Sequence, residues 1–138
     1  MPLIDRTLYF SNAPFDLPAQ LQAAGFTRLV IGGRPMEAAV EPLAKSALDL
    51  GVDVLLLTDL SSAESSPDGG VLRGVLRLRK AGAMLTNCGQ ATTVLATHQV
   101  RTALLLLNVD PADRAAFPDS EILLDLEALL AKSRQPSP

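Results

Sequence analysis

Residues 52–58 read Val-Asp-Val-Leu-Leu-Leu-Thr, a run of strand length that is apolar almost throughout and does not alternate. A strand of that kind is buried on both faces, which calls for a parallel sheet covered by helices. Parallel neighbours need a crossover, and the chain supplies one just upstream. Arg28–Gly32 is a short run of β-branched residues and Leu, closed by Gly32-Gly33. Met36–Leu50 follows with helical apolar spacing at Val40, Leu43, Ala44, Ala47 and Leu48, and Gly51 stops it. The stretch Arg28–Asp59 therefore reads as one right-handed βαβ unit. Ligands of open α/β sheets bind beyond the carboxyl ends of the strands. Here those ends are Gly32-Gly33-Arg34-Pro35 and Thr58-Asp59-Leu60-Ser61. Pro42 interrupts the crossover helix, because it cannot bond to the carbonyl of Ala38. The helix is expected to start late, near Glu41, or to be kinked in its first turns.

The remaining chain continues the alternation. Leu3-Ile4 and Leu8–Phe10 are weak strand candidates on either side of Asp5-Arg6-Thr7. Asp16 can cap a helix over Leu17–Ala24, with Pro18 in its first turn and Gly25 at its end. After a polar loop at 61–68, a helix is predicted over Gly70–Lys80, a strand over Ala83–Thr86 and a helix over Gln90–His98, with Asn87 or Thr86 as its cap. Thr102–Leu107 reads as a second doubly buried strand, followed by a polar loop and a helix over Ser120–Ser133. Strand and helix alternate without repeat or linker, so the expected fold is α/β, an open, mostly parallel Rossmann-like sheet with helices on both faces, in one domain over 1–138 with a frayed tail at 135–138. At 138 residues and 48% hydrophobic the chain can bury a sizeable core, built from Leu, Val and Ala because aromatics are only 4%.

Charge and cysteine content narrow the function classes. A formal net charge of −3 gives no basic footprint for nucleic acid. The cluster Arg73, Arg77, Arg79 and Lys80 reads as the solvated face of a helix. The single cysteine, Cys88, excludes an internal disulfide and fits a reducing compartment. The start MPLIDRTLYF lacks the pattern of a signal peptide, and the longest apolar run, Ala103–Leu107, is too short to span a membrane. The expectation is a soluble, cytoplasmic protein without membrane or nucleic-acid partners.

One register runs through several of these motifs. Gly33-Arg34-Pro35-Met36-Glu37-Ala38-Ala39-Val40 is followed by Gly51, then Leu55-Leu56-Leu57-Thr58-Asp59, then Ser65-Ser66-Pro67, then Ala81-Gly82-Ala83. This order resembles the isochorismatase-like cysteine hydrolases, whose members show G-x-T-x-x-x-C-V at a helix start, a glycine, a strand ending in Asp-Ala, a Ser-Pro loop and a Gly-Ala strand. The helix Leu17–Gly25 also sits where the family has L-x-x-x-L-x-x-x-G. The resemblance covers residues 3–97 and implies the family's three-layer sandwich. The family's first strand, A-L-L-x-I-D-x-Q, is missing at the front. Thr102–Asp110 looks like that strand, and Leu129–Arg134 like the helix end that follows it. The chain is therefore expected to be circularly permuted relative to the family. That arrangement requires Thr102–Leu107 at the sheet centre beside Leu29–Gly32, with Asn108, Arg6 and Ala39 converging.

Those three residues stand where the resemblance places the family's Asp, Lys and Cys. Ala39 has no nucleophilic atom, Arg6 keeps a charge but does not give up its proton, and Asn108 cannot act as a base. The implied function is a hydrolase-fold domain without its triad, a non-catalytic binding or assembly module and homo-oligomer, with no cofactor. Two alternatives stay open. One is an active hydrolase of small amides or esters using Cys88, whose pKa a helix N-terminus can depress, or a water. The other is a small-anion or nucleotide sensor using Arg6, Arg34 and the Gly32-Gly33 turn. Candidate pocket residues are Gly33, Arg34, Pro35 and Asp59, with the Arg34-Pro35 bond expected to be cis. Asp59 can equally cap its own loop. His98 reads as a helix-end residue, and one His with one Cys makes no metal site.

Overall fold

A computed structural model describes residues 4–34, 36–61, 70–97, 100–109 and 120–133. The elements in chain order are β1 (Arg6–Phe10), α1 (Leu17–Ala23), β2 (Arg28–Gly33), a π-helical turn (Met36–Val40), α2 (Glu41–Asp49), β3 (Asp53–Leu57), α3 (Thr58–Ser61), α4 (Gly70–Ala81), β4 (Met84–Thr86), α5 (Cys88–Thr97), β5 (Thr102–Leu107) and α6 (Ser120–Ser133). The five strands form one sheet in the order β1-β5-β2-β3-β4, and every neighbouring pair is parallel. Among the described residues the last strand in sequence is thus the second in space, between β1 and β2. The βαβ unit is present: β2 and β3 pair from Arg28↔Asp53 to Ile31↔Leu56.

Burial explains the unalternating strands. All six residues of β5 and all six of β2 are buried. Successive side chains feed two separate cores. Leu29, Ile31, Leu56, Ala103, Leu105 and Leu107 meet α1, α2 and Leu78 of α4 on one face. Val30, Leu55, Leu57, Leu104 and Leu106 meet Leu60, α5 and α6 on the other. Strands that alternate between two apolar layers have no polar positions left, which is why periodicity disappears from their sequence.

Local departures have identifiable causes. Pro42 lies at the start of α2, and the chain before it runs as the π-helical turn rather than as α-helix. Of the two expected effects, the late start at Glu41 is the one present, with the π-helical turn before it. Asp16 stands at the N-cap position of α1 but makes no side-chain capping bond. Instead, Leu17 N–H donates to the carbonyl of Pro14 at 3.1 Å. The first strand runs from Arg6 to Phe10 and includes the candidate Leu8–Phe10, whereas Ile4 precedes it and Leu3 lies outside the described residues. The strand takes in Arg6 and Thr7 because each residue has a register partner on β5, from Arg6↔Ala103 to Phe10↔Leu107. Helix α5 starts at Cys88, two residues earlier than its apolar spacing suggests, and Asn87 caps it by accepting Gln90 N–H on its side-chain oxygen at 2.8 Å. Among the described residues no helix is long and apolar enough to cross a membrane.

Candidate functional site

The carboxyl ends of β1, β5 and β2 are tied together at one residue. Asn108 follows β5 with φ of 56°, the left-handed conformation that Asn tolerates better than most side chains. Its backbone N–H donates to the carbonyl of Phe10 at 2.8 Å. Its side-chain Nδ2 donates to the carbonyl of Arg34 at 2.6 Å. A carbonyl can only accept, so the amide nitrogen must be the group that faces it. In return, Arg34 N–H donates to the carbonyl of Leu107 at 3.1 Å. Asn108 therefore closes the turn after β2 against the end of β5, using one side-chain N–H and its backbone N–H.

The glycines make this closure fit. Gly33 has φ of +128°, and a Cβ there would collide with the carbonyl of Leu107. A Cβ on Gly32 would come within 2.8 Å of Leu60 and 3.0 Å of Leu57. Gly33 thus lets β2 and β5 approach at their ends, while Gly32 lets α3 seat on β2. Ala39 lies in the π-helical turn on the same end of the sheet, half-buried, with its methyl against the first core.

Arg6 is elsewhere. It pairs with Ala103 at the start of β5, whereas Phe10 pairs with Leu107 next to Asn108. Four residue steps along the strand separate the two ends, about 13 Å at 3.3 Å per residue. The Arg6 guanidinium lies over the Phe26 ring at 5.8 Å, with Arg101 over the same ring at 4.4 Å. The expected convergence of Asn108, Arg6 and Ala39 is corrected here: Asn108 and Ala39 share the carboxyl end, and Arg6 belongs to the amino end. The physical reason is that Arg6 opens β1 rather than following a strand.

Asp59 is engaged with α5. One carboxylate oxygen accepts Cys88 N–H at 3.0 Å and the other accepts the Cys88 thiol at 3.5 Å. Beside it, Thr58 Oγ1 donates to the carbonyl of Thr86 at 3.1 Å. The Cys88 side chain is buried, and burial first, then the negative charge of Asp59, pushes its pKa well above the usual thiol range. A helix N-terminus can depress a thiol pKa, but here desolvation and a neighbouring carboxylate outweigh the backbone N–H contribution. A thiol held protonated and enclosed is a poor nucleophile.

Arg28 is the residue that sequence reasoning passed over. It opens a doubly buried strand, yet its cation stays inside, with Nη1 3.5 Å from the carbonyl of Leu95 near the end of α5. A cation there complements the unsatisfied carbonyls of a helix terminus. It borders a cavity of about 360 Å³ shared with Asp53, Met84 and Thr97. The only signal in the sequence is an arginine at the first position of a buried strand. Pro35 and His98 lie outside the described residues, as does the Arg34-Pro35 bond. Among the described residues no group of three or more His, Cys, Asp or Glu could hold a metal ion. Compared with known proteins, the chain matches no family model, no curated protein and no solved structure.

Proposed function

We propose that this chain is an isochorismatase-like domain, circularly permuted, that lacks the family's catalytic triad and works as a non-catalytic binding or assembly module. The observation that carries the reading is Asn108. The resemblance puts the family's aspartate at this position, at the end of what would be its first strand. In this chain the residue is an amide, which is not a base, and its nitrogen donates to the Arg34 carbonyl. The strand order supports the permutation, because β5 lies between β1 and β2 beside Leu29–Gly32. Ala39, in the nucleophile position, offers only a methyl. Arg6 takes no part, since it sits at the other end of β1.

The alternatives fare less well on the same geometry. A hydrolase that uses Cys88 would need an accessible thiolate, and this thiol is buried and held protonated. An anion cradle at Gly32-Gly33 would need the Arg34 N–H, which already donates to Leu107. A cytoplasmic setting accords with a single thiol kept reduced. The test is turnover of a panel of small amides and esters by wild type and Cys88→Ala. No turnover above the buffer rate is expected from either protein. Turnover by wild type refutes the non-catalytic reading, and its loss in Cys88→Ala would assign the chemistry to that thiol.

A further inference from the structure

Helices α4 and α6 carry one surface pattern with opposite charge. Arg73, Leu76, Arg77 and Arg79 stand on α4 at i, i+3, i+4 and i+6. Glu121, Leu124, Asp125 and Glu127 stand on α6 at the same spacing. In both helices this spacing gathers the four residues into one sector, and all are exposed. Each sector has a single large apolar residue within its charges: Leu76 is 49% exposed and Leu124 is 63% exposed. Helix α4 has no acidic residue and adds Lys80 to its row. Leu78 of α4 packs in one core, whereas Leu123, Leu126, Leu129 and Leu130 of α6 pack in the other. The two sectors thus lie on opposite faces of the sheet. Helix α5, which packs against α6, has no charged residue to offset the acidic side.

We propose that the basic face of α4 docks onto the acidic face of α6 in a second copy of this chain. The groove beside α4, about 580 Å³ and lined by Arg73, Leu76, Arg77, Arg79 and Lys80, is the receiving surface. The complement is carried by the chain itself, which favours a second copy over other anions. An acidic helix of matching spacing also brings Leu124 to cover Leu76, which a phosphate backbone cannot do. The sheet separates the two faces, so α6 cannot reach α4 within one copy. The contact is heterologous: each copy keeps one face open, and association proceeds head to tail into a ring or a filament. Arg77 makes a two-pronged pair with Glu41 on one side of this row, and Arg79 and Lys80 extend the basic face toward the end of α4. The inference deepens the assembly part of the proposed function and rests on that reading.

The test is sedimentation velocity on the full chain at low and high salt. The first variant is Arg73→Glu with Arg79→Glu and Lys80→Glu, and the second is Glu121→Lys with Glu127→Lys. Arg77 is spared because it faces Glu41, and Asp125 because its carboxylate lies beside Gly89. Wild type is expected to associate at low salt and to dissociate as salt screens the charges. Each variant alone should associate about tenfold or more weakly, as loss of complementary charges does, and an equimolar mixture of the two should associate again. Recovery on mixing is not an outcome that misfolding can produce. Wild type that stays monomeric at high micromolar concentration, association indifferent to both variants, or a monomer retained on anionic vesicles through α4 overturns the inference. Turnover of the amide panel by the same samples would refute the non-catalytic reading and leave these outcomes unaffected.

Discussion

Asn108 meets two demands, and three substitutions separate them. Its backbone is left-handed at φ of 56°, and its side chain donates to Arg34 at 2.6 Å from an exposed position. Asn108→Gly adopts the backbone freely and loses only the hydrogen bond, a net cost of about 1 kcal/mol. Asn108→Ala loses the same bond and adds the left-handed penalty of roughly 1–2 kcal/mol, for a total of about 2–3 kcal/mol. Asn108→Asp keeps a side chain that tolerates this backbone but turns an acceptor toward a carbonyl. At neutral pH it should cost about 1–2 kcal/mol. A protonated carboxyl can donate to Arg34 as the amide does, so folding favours the protonated form and the new group's folded pKa lies above its unfolded value. Its contribution is then fully present below the unfolded pKa and is lost as pH rises through the folded one. The deficit of Asn108→Asp should therefore shrink on acidification, while those of the Gly and Ala variants do not. Urea unfolding followed by circular dichroism at about pH 7 and about pH 3, on either side of the ordinary carboxylate range, measures all three. Ala and Gly variants of equal stability, or a pH-independent deficit in the Asp variant, would refute the reasoning.

Four further outcomes are expected. Gly33→Ala places a methyl against the Leu107 carbonyl at a positive φ and should cost more than about 3 kcal/mol, enough to lower soluble yield. Leu105→Ala empties a fully buried site in β5 and should cost about 2–5 kcal/mol in denaturant unfolding. The Arg77 guanidinium, bonded to Glu41, lowers the Glu41 pKa, so this pair adds stability above the unfolded carboxylate range and loses it as pH falls through the folded value. Because Arg77 is half exposed, Glu41→Gln should cost only about 0.5 kcal/mol at neutral pH and nothing in acid, read as converging urea midpoints. Cys88 should resist iodoacetamide in the native state and react at once in denaturant, since its thiol is buried and held protonated; rapid native labelling, read by mass, would contradict this.

The amino end of the sheet shows what surrounds Arg6. Asp5 and Thr102 exchange hydrogen bonds at 2.8 Å, with Asp5 N–H donating to the Thr102 carbonyl and Thr102 N–H donating to the Asp5 carboxylate. Arg101 Nη1 donates to the carbonyl of Ala24 at 2.7 Å while its guanidinium covers Phe26. Residues 5, 6, 26 and 101 thus fasten β1 and β5 to the end of α1. An arginine in that setting holds strands in place, far from the strand ends where α/β folds carry their ligands.

Doubly apolar runs at 52–58 and 102–107, a helix-length crossover between Gly33 and Gly51, and Pro42 are local facts. They determined by themselves that the sheet is parallel and covered on both faces, and that α2 starts late, because burial on two sides and a missing N–H leave their mark on the residues concerned. Which strands are neighbours is not written locally. The resemblance implies β5 beside β2; that its other neighbour is β1 only the tertiary structure decided, since any two apolar parallel strands can pair and the choice is made by all helices packing at once. The same holds for the sites. Asn108 meets Arg34 across 74 positions of chain and Asp59 meets Cys88 across 29. Whether a polar side chain is a reagent or a brace depends on what the fold places opposite it, and that partner is absent from its own neighbourhood in sequence.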